Sequence, residues 1–141
     1  MPLTSETDTR IRKSFAAQSM MTSFGASLDA LDDGYCRISA PILDGHRQQH
    51  GFGHAALTFG LGDSAAGYAA LTKMSAEHEV LTAEIKINLL APAKGERLVA
   101  EGQVLRAGRR LVTVEAKVWA VQGDEQRQIA VLLGTMVPVK I

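Results

Sequence analysis

Cysteine is almost absent from this chain. Cys36 stands alone, so neither an intrachain disulfide nor a multi-cysteine zinc site is available. An excess of charge of one sign is missing too. Lys and Arg number 15 together, as do Asp and Glu. That balance argues against a nucleic-acid binder, which carries a basic surplus, but leaves room for a small anion held by a few local basic residues. Long apolar runs are also lacking. The start, MPLTSETDTRIRKSF, contains none, so no signal peptide is expected and a cytoplasmic location is. The most apolar stretch, Gly51 to Thr72, is interrupted by Asp63, His54 and five glycines. A carboxylate in mid-membrane would be costly, so no membrane span is expected there. No Gly-x-Ser-x-Gly elbow and no Gly-Lys-Ser/Thr phosphate loop occurs. The 141 residues suit one domain, 1–141.

What is present is organised around Gly51 to Met74, GFGHAALTFGLGDSAAGYAALTKM. Up to Thr72 its single formal charge is Asp63, among small and apolar residues. The length suits a buried helix of about six turns. A lone carboxylate in such a helix needs a partner or a function. Gly60, Gly62 and Gly67 each cost about 1 kcal/mol in a helix interior relative to alanine, which predicts close approach by another segment, read here as a second subunit.

Around that stretch the pattern predicts a first helix over Ser5 to Phe24, on the rim of the core or across a ligand mouth. Two short strands, Ala26 to Leu31 and Tyr35 to Pro41, flank the turn Asp32-Asp33-Gly34. Cys36, Ile38 and Ala40 alternate with polar neighbours, which makes Cys36 an inert core residue. Leu43 to Gly53 is a polar, glycine-rich loop that delivers into a helix N-terminus, a common place for binding sites. Strands follow at Val80 to Leu90, Arg97 to Arg106, Leu111 to Val121 and Arg127 to Val139. Short turns predict that these four form an antiparallel meander, with Leu81, Ala83, Ile85, Ile87 and Leu89 on one face of the first. The run IAVLLGTMV is apolar on both faces, as in a central strand. The expected architecture is α+β, a curved antiparallel sheet of about six strands around a long helix. The helix is apolar on its remaining sides, which again suggests a second subunit. His46, His50 and His54 recur every four residues, but Gly45, Gly51 and Gly53 break the helix that would align them for a metal. No metal and no cofactor is expected.

The segment QQHGFGHAALTFGLGD, Gln48 to Asp63, resembles the hotdog-fold acyl-CoA thioesterases, in particular the phenylacetate-degradation-type (PaaI-like) branch. There an amide residue, a His-Gly-Gly six residues on, and an acid nine residues after that His recur. Gln48, His54 and Asp63 stand at these spacings, with Ala55-Ala56 replacing Gly-Gly. TAEIKINLLAPAKGERLVAEGQV, the GRR turn and VLLGTM extend the similarity from about Gly25 to the C-terminus. The resemblance implies a hotdog fold and hydrolysis of small or aromatic acyl-CoA to free acid and CoA. Asp63 would be general base or nucleophile, Gln48 would position the water or the carbonyl, and the Ala55 N–H would be the oxyanion donor. His54 would orient the ligand, and Thr82 would help to hold the water. It also implies a homodimer assembling to a homotetramer, with Gln48 and Asp63 of one site on different chains. Arg109, Arg110, Lys94, Lys86 and Arg47 are candidates for the CoA phosphates. A non-hydrolytic acyl-CoA-binding module on the same fold is the alternative.

Overall fold

The computed structural model describes residues 2–141. Two helices, α1 (Ser5–Ala17) and α2 (Ser19–Phe24), precede β1 (Ser27–Asp32) and β2 (Tyr35–Pro41). A loop with one 3-10 turn leads to α3 (Ala55–Leu71). Four strands follow: β3 (His78–Leu89), β4 (Arg97–Ala107), β5 (Val112–Gln122) and β6 (Glu125–Lys140). All six form one antiparallel sheet in the order β1-β2-β4-β5-β6-β3. This is the hotdog fold, with α3 lying across the inner face of the sheet.

The β1–β2 hairpin closes on Asp33-Gly34, where Gly34 supplies the positive φ (73°) that the turn requires. Along β5, Val112, Val114, Ala116, Val118 and Ala120 are buried in strict alternation. α3 can approach the sheet because small residues lie beneath it. A β-carbon on Gly102 of β4 would stand 2.3 Å from the Ala65 backbone, so only glycine fits this crossing.

Four expectations need correction. The first helix is two: the chain leaves helical geometry at Gln18 (ψ 100°). The central helix starts at Ala55 rather than in the glycine loop and has 17 residues, shorter than six turns. The last four strands do not form one meander. Only β4, β5 and β6 are consecutive neighbours, and β3 pairs with the far side of β6. The 16-residue β6 takes a partner along each edge, and residues 90–96 cross the end of the sheet to begin β4. Finally, a bulge between Thr82 and Glu84 breaks the alternation of β3. Thr82, opposite the buried Met136, shares the inner face with Ile85 and Ile87, whereas Leu81 turns outward and is exposed.

Two of the glycines of α3 are approached by other segments of this chain. A β-carbon on Gly60 would meet the Phe24 ring of α2 at 2.8 Å, and one on Gly62 would meet Leu132 of β6 at 2.9 Å. Gly67 has open space in front of it.

Candidate active site

Eleven of the 17 residues of α3 are buried. The others, Ala55, Ala56, Phe59, Gly60, Asp63 and Ser64, form a stripe along its first half, away from the sheet. Asp63 is therefore half-buried rather than enclosed. Its partner is Thr82, whose hydroxyl donates to Asp63 Oδ1 at 2.7 Å. The β3 bulge makes this pairing possible, because without it Thr82 and Ile85 would lie on opposite faces.

Asp63 borders a cavity of about 590 Å³ closed by α1, α3 and β3. Arg10, Lys13, Ser14 and Gln18 line it from α1 and the α1–α2 junction, Gly67 and Tyr68 from α3. Gln18 donates to the Tyr68 hydroxyl at 3.0 Å and accepts from Ser64 at 3.3 Å. A place for the first helix across a ligand mouth was legible in the sequence. Arg10, Lys13 and Gln18 were not, since polar residues on an amphipathic helix ordinarily face solvent.

Gln48, His54 and Ala55 border a second cavity, also about 590 Å³, with Phe52, Thr58 and residues 89–93. Gln48 Oε1 accepts from the backbone N–H of His50 (2.6 Å) and Phe52 (3.2 Å). Two donors fix that atom as the oxygen, which leaves the amide nitrogen as the free end. His54 is the N-cap of α3, its Nδ1 accepting from Ala56 N–H at 2.8 Å. The adjacent Ala55 N–H makes no hydrogen bond among the described residues, as the first turn of a helix allows. Alanine at 55 and 56 is accommodated at this helix start without positive φ.

Within one chain these groups do not converge. Eight residues separate Ala55 from Asp63, a rise of about 12 Å. An oxyanion donor and a base must both lie about 3 Å from the reacting atoms. A donor at Ala55 and a base at Asp63 would therefore act on one carbonyl only if they came from two chains.

The basic candidates are dispersed. Arg47 is occupied within its own loop, donating to the carbonyls of Gly51 (2.7 Å) and Ile42 (2.8 Å) and pairing with Asp44. Lys86 faces outward, opposite Leu133. Arg109 and Arg110 are exposed in the β4–β5 turn. Lys94 borders a third cavity with Arg127, and Pro92 is common to this cavity and the one holding Gln48. Burial pushes the Cys36 thiol up to about 12, as expected of a core residue. No helix among the described residues is long and apolar enough to cross a membrane.

Residues 50–126 match the family model of the Thioesterase superfamily. The structure superimposes on that of a thioesterase family protein from Silicibacter pomeroyi with a TM-score of 0.93 at 38% identity, covering 96% of this chain and 99% of that one. A Deinococcus radiodurans protein named as an esterase is 33% identical over 110 residues, 77% of this chain and 70% of its own length. The Escherichia coli PaaI protein, from the phenylacetic acid degradation operon, shares the fold (TM-score 0.86) at 17% identity, with 97% and 96% of the two chains covered. The chain belongs to the Thioesterase superfamily and is a thioester hydrolase of the hotdog fold.

Proposed function

We propose that the protein hydrolyses acyl-CoA thioesters of small or aromatic acids to the free acid and CoA, in a site shared between two copies of one 141-residue domain. The observation that carries this is the separation of eight residues along one helix, a rise of about 12 Å, between a free N–H donor at Ala55 and Asp63. The edge strand β3 is 12 residues long, its outer edge has no partner among the described residues, and such an edge invites pairing with another chain. Pairing about a two-fold axis would set Asp63 of one copy against Gln48 and Ala55 of the other, twice per dimer. Pairs of dimers would give the tetramer implied by the resemblance to the PaaI-like branch.

In this site the acyl group enters the cavity beside Asp63 and the thioester carbonyl meets the helix start of the partner. Thr82 holds Oδ1 of Asp63, leaving Oδ2 to take a proton from water. The water oxygen bonds to the carbonyl carbon, and the Ala55 N–H and the Gln48 amide receive the developing oxyanion. The C–S bond then breaks, the proton passes from Asp63 to the departing sulfur, and acid and CoA thiol leave. His54 holds the donor in place by capping its helix. Lys94, reached past Pro92, is assigned to the phosphates of CoA.

The test is thiol release from a panel of acyl-CoAs by the wild type and by Asp63→Ala. Turnover that drops by several orders of magnitude in the variant supports the assignment. An unchanged rate removes Asp63 from the chemistry, and binding without turnover by the wild type would favour a non-hydrolytic acyl-CoA-binding module.

A further inference from the structure

Arg10 is held in an unusual way for a helix-surface arginine. Its Nη1 donates to the backbone carbonyls of Ser75 (3.1 Å) and His78 (3.4 Å), which fixes the plane of the guanidinium. Its Nη2 is buried and has no hydrogen-bond partner among the described residues. Leaving such a donor unsatisfied is costly, more so when the group is charged. Arg10 also makes no ion pair among these residues, and neither does Lys13, its neighbour three positions on along the same face of α1. Both line the cavity that holds Asp63. Glu79 borders it as well, but stands beside Leu81 on the other face of β3 from Val80 and Thr82. The cavity is thus lined by two cations, Arg10 and Lys13, and two carboxylates, Asp63 and Glu79, with no ion pair between them among the described residues.

Arg10 meets the His78 carbonyl, and Thr82, which holds Asp63, lies four residues along β3, roughly 13 Å at ~3.3 Å per residue. A chain end held by Arg10 is therefore remote from a carbonyl that reacts beside Asp63.

We infer that the acyl pocket selects an anionic chain end: the preferred substrates are CoA monothioesters of dicarboxylic acids, their free carboxylate bound by Arg10 with support from Lys13. Arg10 supplies a fixed cation with one unsatisfied donor, and Lys13 a mobile point charge at the rim. The neutral hydroxyls and amide of Ser14, Tyr68 and Gln18 line the same cavity. This assignment rests on the hydrolase reading above and narrows its substrate.

The experiment compares kcat/KM for glutaryl-CoA and adipyl-CoA with valeryl-CoA and hexanoyl-CoA. The wild type is expected to favour the carboxylated member of each pair by about tenfold or more, the yield of a charge-assisted contact. Arg10→Gln should lower that ratio about tenfold, and Lys13→Gln by less. Lys13 is exposed, so its variant reads the pocket even if Arg10→Gln fails to fold. The same preference should persist in N-acetylcysteamine thioesters of these acids, which lack phosphates. No preference in the wild type would overturn the inference. So would an Arg10→Gln loss equal for both members of a pair, or a preference confined to the CoA esters, which would reassign Arg10 to the nucleotide. If no thioester is cleaved, the hydrolase reading fails, and calorimetric titration with glutaryl-CoA and valeryl-CoA still decides the pocket: equal affinities overturn it, and tighter binding of glutaryl-CoA that is lost in Arg10→Gln supports it.

Discussion

Thr82 and Asp63 are 19 positions apart in sequence and 2.7 Å apart in space, the hydroxyl of one donating to the carboxylate of the other. That bond holds the carboxylate at a fixed angle on the exposed stripe of α3. Hydrogen bonds to charged groups are worth about 1.5–3 kcal/mol, so Thr82→Val should lower kcat by roughly 10- to 100-fold with a smaller change in KM. A single turnover in ¹⁸O-labelled water should place the label in the product acid. Label in Asp63 after several turnovers, with unlabelled acid from the first, would make the carboxylate a nucleophile instead of a base.

Ala55 offers an unusually clean deletion of a backbone donor. It is the first helical residue after the His54 cap, a position where proline is tolerated, and His54 already has the extended conformation (φ −66°, ψ 147°) that a following proline requires. Ala55→Pro should keep the fold, read by circular dichroism and melting temperature, while kcat drops roughly 100- to 1000-fold. A variant that melts normally and turns over normally would remove the Ala55 N–H from the oxyanion site.

A site divided between chains can be complemented. Asp63→Asn and Ala55→Pro subunits should each be nearly inactive alone. Co-expressed, they form mixed dimers with one intact site, and recovery of about a quarter of the wild-type rate follows from random pairing of two-fold dimers. No recovery in a mixture shown by native mass spectrometry to contain heterodimers would place both residues of each site in one chain.

Cys36 should be silent in the folded protein. Burial raises its thiol to about 12 from an ordinary 9.0, so almost no thiolate exists near pH 8 and a maleimide or disulfide reagent should label it only after unfolding in guanidinium. The sign of the linked pH effect follows. Above about pH 9 the unfolded chain releases this proton while the native chain retains it, so stability declines as pH rises toward 12.

The parts legible in the sequence are those that local pattern controls. Asp33-Gly34 marked its hairpin, the alternation along β5 marked its buried face, and the Gln48–His54–Asp63 spacing marked residues that border two cavities. Strand order was not legible. A short loop after β3 reads as a hairpin, and nothing local records that β6 claims both neighbouring places. The bulge was hidden because Thr82-Ala83-Glu84 contains no glycine and continues the alternation in composition, though not in geometry. The helical glycines did signal close approach, but the approaching groups are Phe24 and Leu132 of the same chain. Arg10 carried no signal, since its partners are backbone carbonyls more than 60 residues away.

The bulge in β3 divides that strand between two tasks. Beyond it, Ile85 and Ile87 serve the core and tolerate only apolar replacements of similar volume. Before it, Val80 and Thr82 border the cavity that holds Asp63, and a change of side chain there reshapes the cavity wall. One extra residue thus lets a single strand vary in chemistry at one end while staying constant in packing at the other. Differences in activity among chains of this architecture should accordingly gather in the first five residues of the strand, and positions 85 and 87 should admit only hydrophobic exchanges.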